Sequence, residues 1–219
     1  DLIPRADAAA LADRLDAIAA GDDAVRARND RVYAVRNLMS MSDDVRQLAQ
    51  TTAVRGLAQS IVGPGARVVR AIPFDKSPAS NWKVAWHQDL SIAVRERADV
   101  PGYGPWSVKA GVPHVQPPAD LLGRMVTVRV HLDDCGEANG PLQVLPGSHA
   151  AGALSPEQVA DWRGRVPPVP CLVPAGGAVV MRPLILHASS PATAAGRRRV
   201  VHLEWSADEL PGGLAWDVE

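Results

Sequence analysis

Ile61-Val62-Gly63-Pro64-Gly65-Ala66-Arg67-Val68-Val69-Arg70-Ala71-Ile72-Pro73 is where this chain changes its period. Upstream, apolar residues recur at helical spacing. Ala8 to Ala20 places Leu11, Leu15 and Ile18 on one face and stops at Gly21, and a second helix is expected from about Asp23 to Leu38. A third should begin after Ser42, whose hydroxyl can cap the free amides ahead of Asp43-Asp44, and run through Leu48 and Leu57 until Gly63-Pro64-Gly65 breaks it. Downstream the runs are short, β-branched and punctuated by Pro and Gly: Ala66 to Pro73, Trp82 to Ala93, Met125 to Leu132, Leu142 to Leu145, Gly177 to Arg182 and Arg198 to Trp205. That is the pattern of a β-sandwich or barrel preceded by helices.

Composition narrows the class. With 219 residues and 47% hydrophobic content the chain is ample for one core, and no linker composition divides it, so a single domain over 1–219 is expected, helical to about 65 and β from about 66 to 205. A net charge of −1 and a pI near 6.7 leave no electrostatic footprint for nucleic acid or an anionic membrane. No apolar stretch approaches the roughly 20 residues that span a bilayer, and the first residues lack a charged-then-apolar signal pattern. Cys135 and Cys171, the two cysteines, suggest a reducing compartment and a cytoplasmic protein without a disulfide framework.

Within the strand-like stretch Trp82 to Ala93 stands His87-Gln88-Asp89, with His187 far downstream and Arg198 eleven residues beyond it. In a strand, residues i and i+2 share a face, so His87 and Asp89 can turn to one cavity while Gln88 points elsewhere. Two imidazoles and one carboxylate form the facial triad that holds ferrous iron and leaves coordination positions open. A 2-oxo acid fills two of them and dioxygen the third, and the distal carboxylate of the oxo acid calls for a permanently charged, bidentate arginine. His-x-Asp alone is a weak signal, since a lone histidine on an apolar strand is more often a satisfied core residue.

The flanking segments decide between these readings. Asn81-Trp82-Lys83-Val84-Ala85-Trp86-His87-Gln88-Asp89, Asn139-Gly140-Pro141-Leu142-Gln143-Val144-Leu145-Pro146-Gly147-Ser148-His149, and His187-Ala188-Ser189-Ser190-Pro191 running into Arg197-Arg198-Arg199-Val200-Val201-His202 resemble the signatures of the phytanoyl-CoA dioxygenase family, in that family's order. The resemblance covers about residues 66 to 205. It implies a double-stranded β-helix (a jelly roll, cupin-like), Fe(II) bound by His87, Asp89 and His187, and 2-oxoglutarate bound by Ser189 and Arg198. It also implies a reaction with O2 that hydroxylates a C–H bond of a small organic molecule and releases succinate and carbon dioxide. The retained Asp89 points away from halogenation, in which a small residue replaces that carboxylate.

Other residues extend the picture. Along Arg124 to Leu132, Val126, Val128 and Val130 alternate with Thr127, Arg129 and His131, so one face is aliphatic and the other polar. By the resemblance this strand lines the cosubstrate pocket and aims Thr127 and Arg129 at 2-oxoglutarate; the bland reading is a solvated face. Arg198, Val200, His202 and Glu204 share a face of the last strand, and if it turns inward, His131, His202 and Glu204 must form a fully paired polar network. Val94 to Asp120 is long for a connection and reads as a lid, with Tyr103, Trp106 and Lys109 as candidate substrate contacts or packing anchors. Ala151 to Pro170 is a second insertion, with a helix start at Ser155-Pro156-Glu157, and His149 reads as part of a structural turn. Two other classes remain open: a cupin-like metal enzyme that does not use 2-oxoglutarate, for which Arg198 has no purpose, and a non-enzymatic jelly-roll ligand-binding module, for which the triad has none.

Overall fold

A computed structural model of the chain describes residues 1–21 and 38–218. The helix expected over Asp23 to Leu38 lies outside them, apart from Leu38. Helices α1 (Arg5–Gly21), α2 (Leu38–Met41), α3 (Asp43–Gln50) and α4 (Thr52–Val62) precede the first strand. The break at Gly63 is where the sequence puts it, but the third helix is two. Ser42 caps α3 by accepting from the Val45 amide, and Thr51 leaves helical geometry (ψ 143°) and caps α4 by accepting from Val54. A threonine hydroxyl competes well for free amides, and this one ends one helix and starts the next.

Eight strands form two four-stranded sheets. One has the order β1 (Arg67–Lys76), β11 (Arg198–Ser206), β6 (Val126–His131), β9 (Ala178–Met181), and the other β2 (Val84–His87), β10 (His187–Ser189), β7 (Leu142–Val144), β8 (Val169–Pro170). The pairings in both are antiparallel, and the chain passes repeatedly from one sheet to the other, which is the double-stranded β-helix. The alternation on β6 has a double use. Val126, Val128 and Val130 pack with Val201, Leu203 and Trp205 of β11 against Leu11, Val45, Leu48 and Val54 of the helices. Thr127, Arg129 and His131 are buried on the opposite face, inside the roll, so the solvated-face reading is excluded.

Trp82 to Ala93 is two strands rather than one. β2 ends at His87, and β3 (Ile92–Ala93) belongs to a third sheet with β5 (Val112–Val115) and β4 (Trp106–Lys109). The segment expected to be a lid therefore contains a β-hairpin, turning at Ala110-Gly111 with both residues at positive φ. Tyr103 and Trp106, partly buried, pack beside Ile92, Val115, Leu121 and Trp216 in a second apolar cluster, as packing anchors do. The remaining helices are α5 (Ala119–Arg124) and α6 (Pro156–Arg165); the latter starts as the sequence indicates, with Ser155 accepting from Gln158. Among the described residues no helix is long and apolar enough to cross a membrane.

Candidate metal centre and cosubstrate pocket

A cavity of about 330 Å³ opens between the two main sheets, and His87, Asp89 and His187 stand on its wall. Their ligand-bearing atoms all lie within 4.8 Å of one another. His187 is the cross-strand partner of His87, so the ladder itself fixes one imidazole beside the other. Asp89 lies just past the end of β2, where its amide donates to the Pro183 carbonyl at 2.9 Å. Gln88, pointing the other way, clamps three backbone groups: it donates to Leu184 O and Gly152 O and accepts from the Leu154 amide.

The tautomers suit a metal. Nδ1 of His87 faces Ala85 O at 2.8 Å and Nδ1 of His187 faces Ile185 O at 2.9 Å. A carbonyl only accepts, so each Nδ1 carries the proton and each Nε2 presents a lone pair. Both Nε2 atoms lie 3.7 Å from an Asp89 oxygen, one on each. Burial pushes His187 down to about 4, with His87 and Arg129 adding to the effect against Asp89, so its ring is neutral and able to ligate. Burial opposes ionisation of Asp89, but His187, His202, His87 and Arg129 outweigh it and hold the carboxyl below its ordinary range. Its Oδ2 is buried and, among the described residues, accepts no hydrogen bond. An ionised, partnerless carboxylate oxygen between two imidazole lone pairs calls for a cation, and the donor set fits Fe(II).

The other end of the cavity is built for an anion. Arg198 is buried beside the Cys135 thiol, its Nε and Nη1 make no hydrogen bond of good geometry among the described residues, and Nη2 faces the Ser189 hydroxyl at 3.4 Å. Ser189 Oγ donates to Gly140 O, and Lys76 Nζ donates to Ser189 Oγ (2.8 Å) and Ser190 O (2.6 Å). Lys76 is 2% exposed, and burial followed by the charge of Arg198 brings it down to about 8. Sequence reasoning missed this lysine. Arg129 also reaches the cavity, lies over the Phe74 ring at 4.9 Å and keeps its Nε unpartnered; burial, then Arg198, lowers it to about 10, so it stays charged. Buried cations without carboxylate partners are costly until an anion arrives, which fits the distal carboxylate of 2-oxoglutarate.

Not every expected residue arrives. Thr127 is buried on the right face but does not line the cavity. Nor do Tyr103 and Trp106, whereas Lys109 does, donating to Ser91 Oγ at 2.9 Å. The expected network is also smaller. His202 Nδ1 accepts from Arg129 Nη1 at 2.6 Å, so its Nε2 donates to Glu204 Oε1 at 3.2 Å. His131 takes no part; its Nδ1 is without a partner among the described residues, and burial, with Arg129 and Arg198, drives it down to about 3.

A jelly roll whose cavity holds two imidazoles and a carboxylate together with buried arginines that have no carboxylate partner among the described residues defines a class, the non-haem Fe(II)- and 2-oxoglutarate-dependent oxygenases. The profile of the phytanoyl-CoA dioxygenase (PhyH) family matches residues 2–200, and the chain belongs to that family and is such an oxygenase. It is 27% identical over 201 aligned positions to L-proline trans-4-hydroxylase of Streptomyces griseoviridis, covering 80% of this chain and 67% of that protein. The crystal structure of AviO1 from Streptomyces viridochromogenes Tue57 aligns with a TM-score of 0.64 at 25% identity, over 95% of this chain and 86% of that one. HygX from Streptomyces hygroscopicus, solved with nickel and 2-oxoglutarate bound, shares the fold at 14% identity and a TM-score of 0.64, over 94% and 79% of the two chains.

Proposed function

We propose that His87, Asp89 and His187 are the iron ligands, that Arg198, Ser189 and Lys76 hold the distal carboxylate of 2-oxoglutarate with Arg129 alongside, and that the reaction is hydroxylation of a C–H bond in a small organic molecule. The observation that carries this reading is the placement, in one cavity, of three ligand atoms within 4.8 Å of each other and a buried arginine two of whose nitrogens make no hydrogen bond of good geometry among the described residues. Bound iron with 2-oxoglutarate and O2 supplies the oxidation: the cosubstrate becomes succinate and carbon dioxide, and one oxygen atom enters the substrate. The chain's own residues orient and exclude. The backbone carbonyls of Ala85 and Ile185 keep both Nε2 atoms aimed inward, and the β2–β10 ladder holds them against the carboxylate. At about 330 Å³ the cavity is at the small end of ligand pockets, which favours a small substrate. The chain is proposed to act as one catalytic domain without nucleic-acid or membrane partners, and its free Cys135 and Cys171 accord with the cytoplasm.

The test is a titration of 2-oxoglutarate into the anaerobic Fe(II) protein, followed by the metal-to-ligand charge-transfer absorption. A saturable band is expected. Its absence, with iron bound, would favour a cupin-like enzyme that uses no oxo acid. Succinate release against a panel of small molecules then identifies substrates.

A further inference from the structure

The cavity wall carries a second charged pair that neither iron nor 2-oxoglutarate requires. Cross-strand rows of β1 and β11 run along the cavity: Lys76 with Arg198, of which Arg198 lines it, then Ile72 with His202 and Arg70 with Glu204, which line it from both strands. Ser189 meets the first row, and His187 is two residues back along β10; Asp89 lies in the field of His202 and Arg129. The triad shares its cavity with both the His202 and the Glu204 rows. The Arg70–Glu204 row lies six residues from Arg198 along β11, about 20 Å between Cα atoms at strand rise. The distal carboxylate of the cosubstrate is assigned to Arg198, which leaves this pair without a role in holding it.

The chemistry of that row is specific. Arg70 Nη1 and Glu204 Oε1 are 3.2 Å apart, and their side chains are only 16% and 7% exposed. Glu204 Oε1 also accepts from His202 Nε2, so among the described residues both donors converge on one oxygen and leave Oε2 to a donor in the cavity. The carboxyl is ionised, because Arg70 and His202 outweigh the burial that opposes ionisation. The guanidinium spends one nitrogen on Glu204 and has further N–H groups in its fork. A ligand bearing only a cation is repelled by Arg70, and one bearing only an anion by Glu204. A molecule carrying both charges close together meets each with its opposite.

We propose that Arg70 and Glu204 form the substrate-recognition site, and that the substrate is a free α-amino acid with its carboxylate on Arg70 and its ammonium on Glu204. The proposal rests on the oxygenase reading above. It places the side-chain carbons, rather than the charged end, toward the metal.

The experiment uses the wild-type Fe(II) protein with 2-oxoglutarate and O2, measuring succinate against a panel of free L-amino acids, each paired with its N-acetyl and carboxamide forms. One or more free amino acids should stimulate succinate release, and capping either end should raise KM at least about tenfold, the value of one lost charge-assisted hydrogen bond. In Glu204→Gln the disadvantage of the N-acetyl form should shrink toward parity, while that of the carboxamide persists. Capped forms that serve as well as the free amino acid, or stimulation by uncharged compounds alone, would overturn the assignment even if the variant fails to fold. A normal charge-transfer band with no stimulation by any free amino acid sinks this proposal and leaves the oxygenase reading standing; no band at all sinks both.

Discussion

Lys76 and Arg198 are cross-strand partners on β1 and β11, two buried cations placed directly opposite each other. Like charges in that position destabilise a sheet, so the pair is tolerable chiefly as a receptor for an anion. Lys76→Met should therefore raise the melting temperature of the protein without cosubstrate while weakening 2-oxoglutarate binding at least about tenfold. The pH dependence has a definite sign. Lys76 sits near 8 in the fold against an ordinary 10.5, so between those values the unfolded chain holds more protons and stability without cosubstrate rises with pH. Cosubstrate affinity should move the opposite way above about pH 8, as the ammonium is lost. A Kd for 2-oxoglutarate that is flat from pH 7 to 9.5 in wild type, or unchanged in Lys76→Met, would remove the lysine from the site.

The metal assignment predicts loss of iron with retention of fold. Replacing His87, Asp89 or His187 with Ala takes one ligand from three, and elemental analysis after desalting should show iron well below one equivalent. His149→Ala, on an exposed turn, is the control and should bind iron normally. Asp89→Ala removes the charge as well as the ligand and should suppress hydroxylation most directly. Full iron occupancy in His187→Ala would show that the ligand set is wrong.

The legible parts of this molecule were those encoded by local period and by motif. The switch from helix to strand at Gly63 and the alternation on β6 follow from spacing that a helix or strand enforces, while the inward turn of that face and the grouping of His87, Asp89 and His187 were implied by motifs resembling the family's. What the sequence hid were relations between segments distant in the chain. Lys76, one of the chain's three lysines, lies past Pro73, where the first strand was expected to end, and only the pairing of β1 with β11 puts it against Arg198, 122 residues away. Trp82 to Ala93 reads as one run because apolar content continues through it, but Asp89 turns the chain from one sheet to another. The Val94–Asp120 segment reads as a loop because Gly and Pro are frequent there, and its hairpin depends on partners in β3 and the C-terminal segment.

Arg197 and Arg199 are not idle neighbours of Arg198. They lie on the other face, as alternation requires, but each is tied down: Arg197 pairs with Asp16 and Asp75, and Arg199 with Asp16 and Asp133, fastening α1 to the main sheet. The three arginines should separate cleanly in two measurements. Arg198→Ala should raise the Kd for 2-oxoglutarate at least about tenfold with iron loading unchanged. Arg199→Ala, the more buried of the flanking pair, should leave that Kd alone and lower stability by about 1 kcal/mol, with Arg197→Ala costing less because its partners are more exposed. A larger loss of affinity in either flanking variant would mean that the strand register is off by one.

Gly140 supplies the sharpest test of how the cosubstrate end is assembled. It adopts φ +60°, in the left-handed region, and a Cβ built there would fall on the carbonyl oxygen of Ser190, with the Pro191 and Ala192 backbone close behind. Those atoms belong to the anion site by one remove. Ser190 O accepts from Lys76 Nζ, and the carbonyl of Gly140 itself accepts from Ser189 Oγ. Gly140→Ala must push the end of β10 away from β7, pulling the serine from Arg198 and the carbonyl from the lysine. The iron ligands are spared, since His187 is held two residues earlier by its pairing with His87 and Val144. The expected variant is less stable by about 1–3 kcal/mol, loads iron normally, and binds 2-oxoglutarate at least about tenfold more weakly. Thermal melting, metal analysis and the charge-transfer titration read the three effects separately, and an unaltered Kd would show that the Ser189–Lys76 arrangement plays no part in holding the cosubstrate.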